Sequence, residues 1–353
     1  MARIQVLGAD ALARLSEFGT IIDVRSPAEF AEDHVPGAIN LPVLSNAERA
    51  QVGTIYVQES RLKANRIGAA YVARNIAGHL EGALRDMGAD FAPLVYCWRG
   101  GQRSESMATI LSRVGWRTTL LEGGYRTYRR AVRAQLYDTP WPTPVVVLDG
   151  DTGTAKTEIL NRLPAYEIQI IDLEGLAHHR GSLLGAWDGQ AQPSQKLFET
   201  RLWSALQALV PTRPVVVEAE SSKVGDLMIP PGLWRAMQGA PRIRVTAPVE
   251  ARVGYLVRAY RDVADNHARL ADVITRLPVH IGGDARKAWL TLLAERDYEA
   301  LARELILGHY DPAYARARRR EGRTEMAVIA LDHLSPEDID AAAAELARRL
   351  QSL

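Results

Sequence analysis

LVYCWRGGQRSESMATILSRVG, residues 94–115, passes from an apolar run through a glycine-containing loop into a helical pattern. Leu94-Val95-Tyr96 reads as a short buried strand, Ser104 to Val114 has helical periodicity, and Gly115 supplies the stop. Cys97 therefore stands between a strand end and a helix start, where backbone N–H groups converge into an anion-binding nest. That field favours a thiolate, and Arg99 and Arg103 add positive charge, which makes Cys97 the candidate catalytic nucleophile. Trp98, Gly100, Gly101 and Gln102 complete the candidate anion loop, the two glycines letting its amides turn inward. The bland alternative is an inert cysteine packed at a strand end.

Outward from this loop, Thr20-Ile21-Ile22-Asp23 is a second short apolar run, so the region reads as an α/β domain. DTPWPTP, residues 138–144, holds three prolines and reads as a linker, which divides the chain into 1–137, 138–144 and 145–353. Beyond it, Val145-Val146-Val147-Leu148, Ile168 to Asp172 and Val215-Val216-Val217-Glu218 read as buried strands of a second parallel α/β sheet. From about Val249 the pattern is helical and rich in Arg and Ala. Ala327 to Leu331 then offers one more strand, and Ser335-Pro336-Glu337-Asp338 starts a terminal helix.

Composition narrows the function classes. The chain has 353 residues, 47% hydrophobic and 24% charged, enough for two packed domains and too apolar for a disordered chain. Net charge is +1, so any nucleic-acid contact must rest on local basic patches. One cysteine makes no internal disulfide and no thiolate zinc site, and no metal-ligand set is certain. MARIQVLGADALARL has no basic-then-apolar leader pattern, and no stretch approaches the roughly 18 apolar residues of a membrane span. The expectation is a cytoplasmic enzyme that does not engage membranes.

Asp23-Val24-Arg25-Ser26-Pro27-Ala28-Glu29-Phe30 and His34-Val35-Pro36-Gly37-Ala38-Ile39-Asn40, with the cysteine loop, resemble the rhodanese family over the part before the linker. The resemblance implies a rhodanese-like domain with Cys97 as its catalytic residue. Simple sulfurtransferases have a shorter loop; here five residues separate Cys97 from Arg103, as in rhodanese-related phosphatases, a length suited to a tetrahedral phosphate-like anion. A phosphatase stays an alternative, although Tyr96 stands where cysteine phosphatases usually carry histidine.

Gly150-Asp151-Thr152-Gly153-Thr154-Ala155-Lys156-Thr157 follows an apolar strand and leads into a helix, the setting of a Walker A phosphate loop. Backbone amides would surround a phosphate, Lys156 would neutralise it, and the Thr157 hydroxyl is in position for Mg²⁺. Ala155 replaces the second glycine of the pattern, which is compatible with a negative φ and otherwise opposes close approach of a triphosphate. Asp172, His179, Arg180, Ser182, Glu218 and Glu220 lie where an α/β sheet presents its strand ends and are candidates for substrate or Mg²⁺ contact. Polar loops that merely cap helices would look alike.

A rhodanese with this longer loop, fused to a phosphate-loop domain containing His179-Arg180-Gly181-Ser182, Gln192-Pro193-Ser194-Gln195 and Glu218-Ala219-Glu220-Ser221-Ser222, resembles the bacterial tRNA 2-selenouridine synthase family across the chain. That resemblance implies a transferase acting on tRNA that carries 2-thiouridine at the wobble position. It implies geranyl diphosphate and selenophosphate as co-substrates, geranylation of sulfur, its replacement by selenium, and an enzyme that makes selenophosphate as a partner. Candidate tRNA contacts are Arg129 and Arg130 before the linker, Arg258 and Arg261 among tyrosines, and Arg318, Arg319 and Arg320 in the densest basic run. Each is equally readable as a solvated helical face. Two other readings stay open: a sulfurtransferase or cysteine phosphatase fused to a small-molecule kinase, and a phosphate loop that binds without hydrolysing.

Overall fold

A computed structural model describes residues 4–181, 185, 191–261, 266–277, 282–321 and 325–351, without the side chains of 317 and 319–321. Two units form: Met1–Asp138 with Glu199–Ser204, and Thr139–Phe198 with Ala205–Leu353.

The first unit is built on five parallel strands, β1 (Gln5–Leu7), β2 (Ile21–Asp23), β3 (Ala38–Asn40), β4 (Leu94–Tyr96) and β5 (Thr119–Leu121), in the order β1-β5-β4-β2-β3. Three-residue strands suffice because both faces are covered. Ile22 pairs with Val95, and these side chains meet Met107 and Leu111 of helix Gln102–Val114 and Ile76 of helix Arg61–Glu81 in one core. Burying each such side chain is worth about 1.5–3 kcal/mol, which sets against the entropy of ordering so short a strand. The helix after β4 stops at Gly115, φ +112°, as its sequence predicts.

The second unit holds β6 (Val145–Gly150), β7 (Gln169–Ile171), β8 (Val215–Glu218), a two-stranded hairpin of β9 (Lys223–Val224) and β10 (Leu227–Met228), β11 (Arg242–Thr246) and β12 (Glu325–Ala330). Its main sheet is parallel in the order β12-β11-β6-β8-β7. Central β6 and β8 end at Gly150 and Glu218, so the phosphate loop and an acidic segment emerge side by side at the carboxyl edge, where such sheets bind ligands. Helix Pro336–Gln351 closes the core with Ile339, Leu346 and Leu350, and Ser335 and Asp338 cap it reciprocally through backbone bonds of 3.0 and 3.2 Å. A separate helical core gathers Leu270, Ile274, Trp289, Leu293 and Leu301.

Candidate functional site

The amides of Tyr125 and Arg126, at the start of helix Tyr125–Arg133, donate to Cys97 O at 2.8 Å and Trp98 O at 3.2 Å. The helix N-terminus thereby fixes the first peptide planes of the cysteine loop. The approach is close enough that a Cβ on Gly124, φ +57°, would lie 2.2 Å from Cys97 O, so the position demands glycine. Trp98 stacks on Tyr125 with ring centres 5.2 Å apart.

Cys97 is 3% exposed and packs with Val95, Met107 and Leu111, so the packing role is real and coexists with a polar setting. Ser104 Oγ donates to Sγ at 3.2 Å, and Gly101 O lies 3.8 Å from the sulfur. Arg99 and Gln102 are exposed. Arg103 departs from expectation as a source of free positive charge: its Nη1 and Nη2 donate to Glu29 at 2.8 and 3.3 Å. Burial pushes the Glu29 carboxyl up, but the hydrogen bond and charge of Arg103 outweigh it and hold the group below its ordinary value. Glu29 also caps helix Pro27–Glu32 through Ser26 N, so one side chain joins the upstream motif to the loop.

Beneath the loop, fully buried Arg25 is paired with Asp23 at 2.6 Å, donates to Asp33 O at 2.6 Å and lies 4.0 Å from the centre of the Tyr125 ring. Tyr125 Oη donates to Asp33 at 2.6 Å. Every member has a partner, as a buried ion pair requires. Gln102, Arg103 and Ser106 line a cleft of about 960 Å³ whose walls include Val52, Val72 and Ile110. Sequence reading passed over it because the helices Asn46–Gln58 and Arg61–Glu81 carry no chemical motif.

In the second unit, Lys156 Nζ donates to Gly150 O at 2.8 Å and Asp151 O at 3.2 Å. Thr157 Oγ1 lies 2.9 Å from Glu174 Oε2 and 3.0 Å from Glu218 Oε2, and its single proton serves one at a time. Glu218 accepts from Glu174 N at 2.8 Å. Ala155 contradicts the expected negative φ: it sits at +57°, ψ 27°, in the left-handed region. Its methyl group is buried in the core with Leu148 and Ile159, and that packing offsets part of the strain of about 1–2 kcal/mol.

Glu218 is buried, and burial followed by Glu174, Asp172 and Glu220 pushes its carboxyl well above the ordinary range. Burial and the adjacent Glu174 carry Glu220 up to about 8, and burial raises Glu174 as well. The Glu174 and Glu220 carboxyls act on each other, Glu174 disfavouring the charge of Glu220 beside the cavity. Gly181 accommodates the pair, since a Cβ there would stand 2.3 Å from Glu220 and 2.6 Å from Glu174. Among the described residues no three His, Cys, Asp or Glu side chains are arranged to hold an ion alone. The hard oxygens of Thr157 and Glu218 do fit Mg²⁺, an ion usually shared between one or two protein groups, phosphate and water.

Lys156, Thr157, Glu174 and Glu220 line a cavity of about 380 Å³ together with Tyr255, Leu256, Tyr260 and Tyr314. Arg180 lines it and lies 4.8 Å from the centre of the Tyr260 ring. Asp172 also lines it, though its carboxylate is engaged as the cap of helix Leu173–Ala177, accepting from Gly175 N at 2.7 Å. His179 is 8% exposed with Nδ1 unpartnered among the described residues, and burial lowers its pKa. Ser182 lies outside the described residues. Gln192 clamps the β9–β10 hairpin through Val224 O and Asp226 N, and Ser194 caps helix Gln195–Gln207, so this motif is structural.

The basic candidates divide. Arg129 is ion-paired with buried Glu199, which removes it from the solvated set. Arg126, Arg130 and Arg133 are exposed on the same helix. Arg252, on the same helix as Arg258, is 3% exposed and held by Asp311. Arg258 is exposed and donates to Leu334 O at 2.9 Å, and Arg261 is exposed. Arg318 is bound to Asp151 of the phosphate loop at 2.6 Å. The side chains of Arg319 and Arg320 lie outside the described residues. No described helix is long and apolar enough to cross a membrane.

Residues 8–131 match the rhodanese-like domain family, and residues 143–277 match the tRNA 2-selenouridine synthase AAA domain family. A tRNA 2-selenouridine synthase of Chromohalobacter salexigens is 35% identical over 324 residues, covering 83% of this chain and 86% of the relative. One of Pseudomonas syringae pv. tomato is 32% identical, covering 85% and 89%, and one of Proteus mirabilis is 37% identical, covering 69% and 66%. With both domain types present and the likeness running through most of its length, the chain belongs to the tRNA 2-selenouridine synthase family.

Proposed function

We propose that this chain works on cytoplasmic tRNA carrying 2-thiouridine at the wobble position, in two half-reactions divided between its two anion loops. The first transfers a geranyl group from geranyl diphosphate to the sulfur of 2-thiouridine. The second replaces the geranylated sulfur with selenium from selenophosphate, supplied by a selenophosphate-making enzyme.

The observation that carries the reading is the mixed lining of the cavity at the phosphate loop, where Lys156, Thr157 and the carboxyls of Glu174 and Glu220 share one space with Tyr255, Leu256, Tyr260 and Tyr314. A diphosphate joined to an apolar chain finds both kinds of partner in that lining. In geranylation the bond between geranyl carbon and diphosphate oxygen breaks as the carbon–sulfur bond forms, and negative charge grows on the departing diphosphate. Loop amides, Lys156 and Arg180 are suited to stabilise it, and Mg²⁺ held by Thr157 and Glu218 would add positive charge there.

The cysteine loop suits selenophosphate because it combines a nucleophilic sulfur with the length of a phosphate cradle. Selenium in selenophosphate is already at the selenide level, so its transfer to carbon needs no oxidant. Sγ of Cys97 attacks phosphorus, a P–S bond forms, the P–Se bond breaks and hydroselenide leaves. Hydroselenide attacks C2 of the geranylated base, the C2–S bond breaks and geranyl thiol departs with a proton. Water then hydrolyses phosphocysteine to phosphate and restores the thiol.

The test is nucleoside mass spectrometry on 2-thiouridine tRNA incubated with the protein and both co-substrates, each omitted in turn. Geranylthiouridine without selenophosphate, and selenouridine only with both, is the expected pattern. Unchanged 2-thiouridine throughout would overturn the reading.

A further inference from the structure

Helix Asp311–Glu321, part of the densest basic run in the sequence, turns one stripe toward the phosphate loop. Asp311 takes both terminal guanidinium nitrogens of buried Arg252, at 3.0 and 2.6 Å, while Arg252 Nε donates to Thr152 O at 2.8 Å. Tyr314 lines the cavity, with Lys156 Nζ 5.9 Å from its ring centre. Arg318 Nη1 donates to Asp151 Oδ1 at 2.6 Å. Positions 311, 314 and 318 share one face of a helix, so the segment is fastened across the loop at three heights.

We infer that Arg318 is a further phosphate-binding cation beside Lys156 and Arg180, oriented by Asp151 and directed to the outer phosphate of a diphosphate ligand. The inference rests on the reading of the loop as a diphosphate site. Arg318 presents a planar fork with five donor hydrogens, and its bond to Asp151 engages Nη1, which leaves the geometry of a bidentate phosphate contact on the same group. At 30% exposure the side chain has room to turn toward a ligand, and Asp151, at 18%, keeps it beside the loop. Lys156 and Arg318 together would distinguish two linked phosphates from one.

The experiment is calorimetric titration of the full chain, with Mg²⁺ present, using inorganic pyrophosphate and inorganic orthophosphate as probes. Arg318→Gln should weaken pyrophosphate binding about ten- to hundredfold, the range for a charged hydrogen bond, and orthophosphate binding by less than about threefold. Arg318→Lys should fall between, since it keeps the charge without the fork. Asp151→Asn should cost pyrophosphate less than Arg318→Gln does. Equal losses for both probes in Arg318→Gln and Asp151→Asn would make the pair a structural clip and overturn the inference. So would a loss confined to tRNA binding. Wild-type protein that binds orthophosphate but not pyrophosphate would overturn the diphosphate reading itself, and the role of Arg318 with it. Thermal unfolding of each variant identifies any that lose binding by losing the fold.

Discussion

The hydroxyl of Ser104 donates to the sulfur of Cys97 across 3.2 Å, from the first turn of the helix that the cysteine loop opens into. The same hydroxyl lies 3.1 Å from Gly101 O, and its single proton serves the sulfur or that carbonyl one at a time. Ser104→Ala removes the bond without changing charge. Selenation should slow by roughly three- to tenfold, the worth of one neutral hydrogen bond, while geranylation stays within twofold. Single-turnover rates of both products check this.

Ala155 holds a left-handed backbone with its methyl group buried. Relief of about 1–2 kcal/mol of strain in Ala155→Gly is opposed by about 0.8 kcal/mol for the missing methyl and roughly 0.4–1 kcal/mol of unfolded-chain entropy. The substitution should therefore change stability by less than about 1 kcal/mol, and phosphate-loop binding should survive it. Ala155→Val, β-branched at positive φ, should destabilise by more than about 2 kcal/mol. Urea unfolding of both variants separates the two effects.

Raised carboxyls make the second unit sensitive to pH in a defined direction. Glu220 moves from an ordinary value of 4.5 to about 8, chiefly through burial and then through Glu174. The folded protein holds this proton more tightly than the unfolded chain, so its stabilising contribution is complete below about 4.5 and is lost as pH rises toward 8. Without added metal, stability should fall across that window, and Glu220→Gln should flatten the fall. Denaturant titrations at several pH values measure it; a slope that Glu220→Gln leaves unchanged would assign the effect elsewhere.

Arg126, Arg130 and Arg133 stand one and two turns apart on helix Tyr125–Arg133 and are all exposed, a stripe suited to a phosphate backbone. Replacing all three with Gln should weaken tRNA binding and reduce the slope of log K against log salt by roughly one for each phosphate no longer neutralised. The corresponding change at Arg129, already paired with Glu199, should act on stability more than on that slope. Filter-binding at several salt concentrations distinguishes the exposed stripe from the paired residue.

Much of this architecture was legible because local signals agreed with the fold. The strand–loop–helix passages at Cys97 and Gly150, the stop at Gly115 and the start at Ser335 each need only neighbouring residues. β11 was not legible: Arg242 and Arg244 interrupt its apolar pattern, and the buried arginine makes sense only once Asp149 on the adjacent β6 is seen among its partners, at 2.7 Å from Arg242. The same limit applies to basic side chains generally. Whether Arg103, Arg129, Arg252 or Arg318 is a free cation depends on Glu29, Glu199, Asp311 or Asp151, partners remote in sequence. Glu174 is not among the sequence candidates, because its importance comes from meeting Thr157 and Glu220.

The division of labour between the two loops is tested most directly by the nucleoside products of Cys97→Ala with 2-thiouridine tRNA, geranyl diphosphate and selenophosphate all present. The account predicts that geranylthiouridine accumulates at close to the wild-type rate while selenouridine is absent. Loss of both products in equal measure, from protein that retains its fold and binds tRNA, would contradict it.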